Sequence, residues 1–320
     1  MRVLATGGAG YVGSHCVRAL VRAGHEVEVL DDLSRGHRSF AEKLSVPLHV
    51  ADLRQRDALD RVFERRFDAV LHFAGFALVA ESVEKARLYW DVNFEGGKNL
   101  LAAMRKAGVG RIVVSSTAAV YGEPLATPIE EDAPRAPLNP YGATKLAFEY
   151  LLRQEARATG LRSLALRYFN AAGASDEGDL GERHDPETHL IPLLVRAARS
   201  GKPFSLFGRD HPTRDGTCLR DFIHVLDLAR AHVLALEKLD QTHERALNLG
   251  SGTGQTVLEV HAATERVLGK KIAIDWRPRR AGDPGSLLAA TARAEKALGF
   301  KAERSLEDAI RSADRFLARE

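Results

Sequence analysis

Cysteine, methionine and tryptophan each occur only twice in this chain of 320 residues. Two cysteines, Cys16 and Cys218, are too few for a disulfide framework and suit a reducing compartment. No apolar run approaches bilayer-spanning length. Met1-Arg2-Val3-Leu4 leads directly into a predicted strand, so no signal peptide is expected. Neither sign of charge dominates: 46 Lys and Arg stand against 43 Asp and Glu, a net charge of +3, intermixed without blocks. That pattern gives solvated faces and no nucleic-acid tract. Internal repeats and low-complexity linkers are absent, and no metal site is expected. What remains is an ordinary globular composition, 45% hydrophobic and 28% charged, with ample core for one large domain or two modest ones. A cytoplasmic enzyme or binding protein is expected, without nucleic acid or membrane as a partner.

The first half alternates β-rich runs with helical stretches. Arg2–Thr6, Glu26–Leu30, Leu48–Ala51, Ala69–Phe73, Arg111–Ser115 and Ser163–Tyr168 are rich in Val, Leu and Ile and read as buried strands. Tyr11–Arg22, Arg87–Ala107 and Tyr141–Thr159 read as helices between them. This alternation predicts an α/β fold, a doubly wound parallel (Rossmann) sheet whose ligands sit at the carboxyl ends of the strands. Beyond Asn170 the rhythm changes: Ala171–Thr188 is polar and rich in Gly, Asp and Glu, and shorter mixed elements follow. Residues 1–170 are therefore read as the dinucleotide-binding domain and 171–320 as a smaller α/β domain for substrate. Asp221–Val225 and Ala246–Leu249 are candidate strands returning to the first.

Thr6-Gly7-Gly8-Ala9-Gly10-Tyr11-Val12-Gly13 follows the first strand and opens the first helix. Glycines there permit a tight turn and close approach of a pyrophosphate to the helix N-terminus. Asp31-Asp32 closes the second strand, where a carboxylate accepts hydrogen bonds from ribose hydroxyls and repels a 2′-phosphate. NAD is thus expected over NADP, with Arg35 the one residue that argues for the phosphate. Asp52-Leu53 is placed to contact adenine, with an N-cap role for Asp52 as the alternative. Phe73-Ala74-Gly75 reads as a close backbone approach to the cofactor, and His72 as a core histidine.

Tyr141-Gly142-Ala143-Thr144-Lys145 places a phenol and an ammonium four residues apart, on one helix face. A nearby cation favours phenolate and lowers a tyrosine pKa from about 10. A phenol so tuned exchanges protons with a carbinol near neutral pH. Ser115-Ser116-Thr117 offers hydroxyls for the same oxygen. Chance alone produces such Tyr/Lys pairs, and position gives this one its weight.

These motifs, with Asn93 and Val120-Tyr121-Gly122, resemble the extended short-chain dehydrogenase/reductase family. Arg167-Tyr168-Phe169-Asn170, Phe207-Gly208, Gly216 to Val225, Asn248-Leu249-Gly250 and Arg279-Arg280-Ala281-Gly282-Asp283 are similar to its UDP-glucose 4-epimerase branch. The similarity covers nearly the whole chain. It implies NAD-dependent epimerisation at C4 of UDP-glucose and UDP-galactose through a transient 4-keto sugar. Tyr141 would exchange the proton, Lys145 tune it and hold the nicotinamide ribose, and Thr117 bind the reacting oxygen. The resemblance adds Leu33, Ser34, Gly36, Asn93, Ser115, Tyr168 and Phe169 to the cofactor set. It gives the UDP-sugar Asn170, His189, Leu190, Ser205, Leu206, Phe207, Arg220, Arg280 and Asp283. The two arginines would clamp phosphates, since a guanidinium fork matches phosphate bidentately. It also implies a homodimer through the Arg87–Ala107 and Tyr141–Thr159 helices.

Four positions depart from the branch. Thr117 replaces the usual serine, Val92 one of a paired asparagine, and Ala77 a lysine. Leu287 falls near the position that limits the C2 substituent, so N-acetylated sugars are left open. Another UDP-sugar 4-epimerase, for UDP-N-acetylglucosamine or UDP-glucuronate, is one alternative, and a nucleotide-sugar dehydratase or decarboxylase of the same fold is another. A 4,6-dehydratase would carry Asp-Glu where Ala118-Ala119 stand. A non-catalytic NAD-binding regulator is the alternative of another class, because fold does not dictate function.

Overall fold

The computed structural model describes residues 1–280 and 284–320. Its strands are β1 (Arg2–Thr6), β2 (Glu26–Asp31), β3 (Leu48–Val50), β4 (Ala69–His72), β5 (Arg111–Thr117), β6 (Arg162–Tyr168) and β7 (Asn170–Ala172). They continue with β8 (Phe204–Phe207), β9 (Leu219–His224), β10 (Ala246–Leu249), β11 (Gly254–Thr256), β12 (Ile274–Arg277) and β13 (Ser286–Leu287). Seven of them form one sheet in the order β10-β6-β5-β4-β1-β2-β3, every neighbour parallel. Strand order turns back between β1 and β4, the switch point at which such sheets bind ligands.

Alternation along β1 explains why both faces are covered. Val3 and Ala5 enter one apolar cluster with Val17 and Leu20 of α1 (Tyr11–Arg22), while Leu4 enters the other. A parallel sheet needs this two-sided burial, and each buried Leu or Val contributes about 1.5–3 kcal/mol. Helices α2 (Arg38–Leu44), α3 (Arg56–Phe63), α4 (Val79–Glu84) and α5 (Ala86–Tyr89) follow. A π-helical segment, Trp90–Glu95, then interrupts the long helix predicted over 87–107, which resumes as α6 (Gly96–Ala107). The extra residue per turn rotates the helix face, so Val92 reaches the central cavity while Asn93 is buried beside it.

Helices α7 (Pro140–Thr159), α8 (Leu190–Ser200), α9 (Val225–Glu237), α10 (Val257–Leu268), α11 (Ala292–Leu298) and α12 (Leu306–Leu317) complete the chain. A second sheet has β11, β9 and β13 in that order, with β7 also paired to β9, and β8 pairs with β12 separately. A third apolar cluster joins α8, α10 and α12. Ala246–Leu249 returns to the large sheet as the strand outside β6. Leu219–His224 does not return, because its neighbours are β7, β11 and β13.

A buried ion pair ties α7 to the sheet. Glu149 on α7 accepts from Arg167 on β6 through both oxygens, at 2.9 and 2.7 Å, and from the Ser116 hydroxyl on β5 at 2.6 Å. Arg167 also donates to the Tyr121 hydroxyl (2.7 Å) and the Glu131 carbonyl (2.9 Å). Tyr121 in turn donates to Asn248 on β10 at 2.6 Å. Arg167 is 0% and Glu149 4% exposed. Truncating one partner leaves the other charge uncompensated, so Glu149→Ala should lose about 3–5 kcal/mol in urea unfolding. The double change Glu149→Leu with Arg167→Met should cost less than that single change. A single-site loss below about 1 kcal/mol, the range of exposed pairs, would show that the pair does not anchor α7.

Candidate active site

The site begins where β1 ends. Gly7 lies at φ +71, and a Cβ there would stand 2.4 Å from the Ala74 amide nitrogen. Only glycine lets this loop press against the segment after β4, where the Phe73 and Ala74 amides both donate to the Thr6 carbonyl, at 2.8 and 3.0 Å. Gly10 precedes α1 and supplies no side-chain cap. The first-turn amides of Tyr11, Val12 and Gly13 therefore keep their capacity for an anion, reinforced by the helix dipole. Asp31 is buried at the end of β2 and accepts from the amides of Ala9 (3.0 Å) and Leu33 (2.9 Å). Burial still pushes its carboxyl upward. A glycine cradle, an uncapped helix start and a carboxylate at the next strand end fit a dinucleotide.

Several expected contacts are otherwise engaged. Asp32 folds back on the Ser34 amide (2.9 Å) and hydroxyl (2.6 Å). Arg35 donates to Glu81 at 2.7 Å and covers the Phe76 ring, so the guanidinium expected to favour a 2′-phosphate already has a carboxylate. Asp52 is held by Arg54 through Nε (3.0 Å) and Nη2 (2.6 Å), which keeps its carboxyl below the usual range. It is not an N-cap, because α3 starts at Arg56 and Gln55 precedes it. Asn93 grips Phe76 through both its amide (2.8 Å) and carbonyl (3.0 Å), shaping the wall from behind. His72 is a core residue, 2.7 Å from the Thr6 hydroxyl.

A cavity of about 820 Å³ runs along the carboxyl ends of the strands and into the second half of the chain. Most of the expected cofactor residues line it: Gly7, Gly10 to Gly13, Asp31, Asp32, Ser34 to Gly36, Asp52, Leu53, Phe73 to Gly75, Ser115, Tyr168 and Phe169. Leu33, Asn93 and Lys145 are not on its wall. Of the expected substrate residues, Thr117, Tyr141, Asn170, His189, Arg220 and Arg280 line it. Leu190, Ser205, Leu206 and Phe207 do not: Leu206 is buried in the α8–α10–α12 core, and Ser205 donates to Asp275 at 3.2 Å. The face of Phe207 is covered by the Arg280 guanidinium, 3.8 Å from the ring centre. Asp283 lies outside the described residues.

At the middle of this cavity Thr117, at the end of β5, meets Tyr141. Asn139 caps α7 by accepting from the Gly142 amide at 2.9 Å, with Pro140 in the first turn. A Cβ on Gly142 would come within 2.5 Å of the Ala119 carbonyl oxygen. That close approach sets Tyr141 beside Thr117, within the influence of its hydroxyl. Burial raises the Tyr141 pKa, and the Thr117 hydroxyl opposes that rise in part. Lys145 is 6% exposed, donates to the Ser115 carbonyl at 3.0 Å, and is pushed down by burial to about 8, with Glu149 opposing.

Sequence reading missed one constellation. Glu182, His184, Glu187 and His189 converge on a single point, and Glu182, His184 and His189 line the cavity. Their spacing over eight residues was the available signal. Val92, Phe76, Ala118, Ala119 and Leu287 also line the wall.

A family model described as "NAD dependent epimerase/dehydratase family" matches residues 3–250. The chain is 44% identical over 304 residues to a UDP-glucose 4-epimerase of Lacticaseibacillus casei, covering 94% of this chain and 92% of that one. Among solved structures it resembles the UDP-glucose-4-epimerase from Stenotrophomonas maltophila with bound NAD and formylated UDP-arabinopyranose. That likeness has a TM-score of 0.95 and 39% identity, over 100% of this chain and 98% of the other. The enzyme from Bifidobacterium longum in complex with NAD+ and UDP gives a TM-score of 0.95 at 36% identity, covering 100% and 99%.

Lys145 carries a testable sign. Its ammonium belongs at about 8 in the folded chain against 10.5 ordinarily. Below that window the fold bears the full cost of a buried charge. Between the two values the unfolded chain holds a proton the folded one has released, so stability rises with pH, by at most about 1.4 kcal/mol per unit. Lys145→Met should therefore gain most over the parent protein near neutral pH and lose that advantage as pH rises toward about 10. Urea unfolding of both across this range checks it; a constant difference would refute the shift.

Proposed function

The chain belongs to the NAD-dependent epimerase/dehydratase family, and from that premise we propose that its cavity interconverts UDP-glucose and UDP-galactose by reversible oxidation at C4. The observation that carries the reading is that Thr117 and Tyr141 line one continuous cavity together with a dinucleotide cradle and two arginines, Arg220 and Arg280. The cofactor of the reaction is NAD; when bound, it supplies a reversible hydride acceptor whose oxidation state is restored each turnover.

On this reading Tyr141 takes the proton of the sugar 4-hydroxyl and later returns it to the opposite face of the same carbon. Thr117 donates to, or accepts from, the oxygen that alternates between hydroxyl and keto forms. Lys145 holds charge behind Tyr141, and burial tunes that charge close to neutral pH, where small changes of environment move it. Arg220 and Arg280 face the phosphates of UDP, and Asn170 and His189 the sugar. Residues 1–170, with β10 added, serve the cofactor, and the remainder serves the nucleotide sugar. Ala118 and Ala119 on the wall offer no acid or base for eliminating water across C5–C6, which weighs against a dehydratase.

Purified protein should interconvert the two UDP-sugars without accumulating NADH. Tyr141→Phe should retain NAD while losing at least about 100-fold in kcat, the scale of general acid–base catalysis. An inactive parent protein with NAD demonstrably bound would defeat the assignment, and an unimpaired Tyr141→Phe would favour a regulator. Leu287 stands on the wall where the C2 substituent would come, so the N-acetylated pair in the same assay reads substrate width.

A homodimer is also proposed, through the face shared by the π segment and α7. Trp90 and Tyr150 are exposed there, 39% and 64%, beside an apolar groove lined by Phe94, Leu146 and Leu151. Exposed apolar surface of this kind marks an interface. Light scattering should give twice the 35.0 kDa chain mass, and Tyr150→Glu with Leu146→Glu should return it to one. No described helix is long and apolar enough to cross a membrane, and the two buried cysteines, neither in a disulfide, fit the cytoplasm proposed as its compartment.

A further inference from the structure

The segment between β7 and α8 contains a group of side chains to which the proposed reaction gives no proton or hydride step, His189 alone among them being placed beside the sugar. Glu182, His184, Glu187 and His189 each offer one ligand atom, and all four atoms lie within 4.8 Å of one another. His189 Nδ1 is 2.9 Å from Glu182 Oε1 and 3.3 Å from Glu187 Oε1. His184 Nδ1 is 3.4 Å from Glu182 Oε1 and 3.8 Å from Glu187 Oε1. A tetrahedron of nitrogen and oxygen ligands about 2.0–2.1 Å from a central zinc ion has edges of roughly 3.3–3.4 Å. The four observed separations straddle that length.

We propose that Glu182, His184, Glu187 and His189 bind a divalent cation of the zinc type, held by two imidazole nitrogens and two carboxylates. The donor set suits the class: imidazole favours borderline metals, and two carboxylates neutralise the charge of the ion. A second observation points the same way. The Glu187 side chain is 1% exposed, yet its Oε2 has no hydrogen-bond partner, and the buried Nδ1 of His184 has only the two carboxylate oxygens at 3.4 and 3.8 Å, neither in hydrogen-bond geometry. Buried polar atoms without partners are costly, and an ion at the centre of the group would occupy the lone pair of His184 and draw on both Glu187 oxygens.

Four protein ligands make a closed, structural kind of site rather than one with an open catalytic position. Its place in the fold agrees. The same segment is tied to the cofactor half by Tyr11, which donates to the Gly173 carbonyl at 2.6 Å, and by His37, 3.1 Å from the Arg183 carbonyl. Lys43 donates to the Asp179 carbonyl at 2.9 Å. An ion that cross-links residues 182 to 189 would fix the end of this strap against the cavity wall. Its presence is independent of which sugar the cavity takes.

The test measures metal, not turnover. Tag-free protein grown with zinc, passed through gel filtration and analysed by plasma mass spectrometry, should retain one zinc per chain. Cobalt(II) added to the chelator-stripped protein should give the visible absorption of a four-coordinate site. Glu187→Gln and His184→Ala should each weaken zinc binding at least about 100-fold, at or beyond the upper end seen when only supporting groups are changed. Glu177→Gln, outside the group on the same segment, should bind as the parent does. Stoichiometric zinc that is unaffected by either variant would overturn the proposal, because the ion would lie elsewhere. So would less than about a tenth of an equivalent in parent protein with NAD bound, since a closed site retains its ion. If the variants fail to fold, the parent stoichiometry and the cobalt spectrum decide alone.

Discussion

The Arg167–Glu149 pair is the constraint on which the site depends. Tyr141, Lys145 and Glu149 recur every four residues on α7, so one face of the helix carries the phenol, the ammonium and the anchoring carboxylate. Glu149 is clasped by Arg167 from β6 and by Ser116 from β5, the residue next to Thr117. The register of helix against strand that brings Tyr141 to Thr117 is thereby set two turns away, by charge-assisted bonds with directional geometry. Apolar packing of Phe148 and Leu152 holds the same helix down but does not by itself fix where it stops along its axis. The fully buried arginine is costly in desolvation, and its many hydrogen bonds offset that cost.

Burial acts on the reactive groups in opposite directions. It keeps the Tyr141 phenol protonated and loosens the hold of Lys145 on its proton, so the two groups lose charge more readily than they would in water. The expectation that Lys145 tunes Tyr141 rested on helix spacing, which holds. What spacing did not show is that the Ser115 carbonyl also receives the ammonium. Spacing decides which residues share a face, and the depth of that face decides their charge.

Much of the fold was legible because parallel strands buried on both faces leave unbroken runs of Val, Leu and Ile. The boundaries of β1, β10 and α1 match the reading, and the first large sheet follows from strand–helix alternation. The π segment was not legible, since one additional residue in a helix leaves the periodicity of its flanks unchanged. Nor were the positions of Ser205 and Leu206, because a four-residue strand exposes alternate residues to different surroundings and sequence does not say which face meets the ligand. The arginine pair illustrates the opposite case. Arg220 and Arg280 are 60 positions apart in sequence, yet both reach the cavity, because the start of β9 and the segment after β12 both border it. The convergence of Glu182, His184, Glu187 and His189 lay in a polar stretch read as loop, where only the folded path reveals that four side chains turn inward.

The contact between Arg35 and Glu81 bears on how cofactor preference could drift. Glu81 also accepts from Tyr89 and Lys85, so the carboxylate that occupies Arg35 is itself fixed by the α4–α5 turn. Gaining affinity for a 2′-phosphate by altering Asp31 or Asp32 alone would remove a repulsion without supplying a cation, since the nearest guanidinium stays occupied. Freeing Arg35 by altering Glu81 alone would leave the acidic strand end in place. Neither single step is rewarded, so a lineage carrying this pair faces a valley between the two nucleotides that must be crossed by at least two changes on different elements.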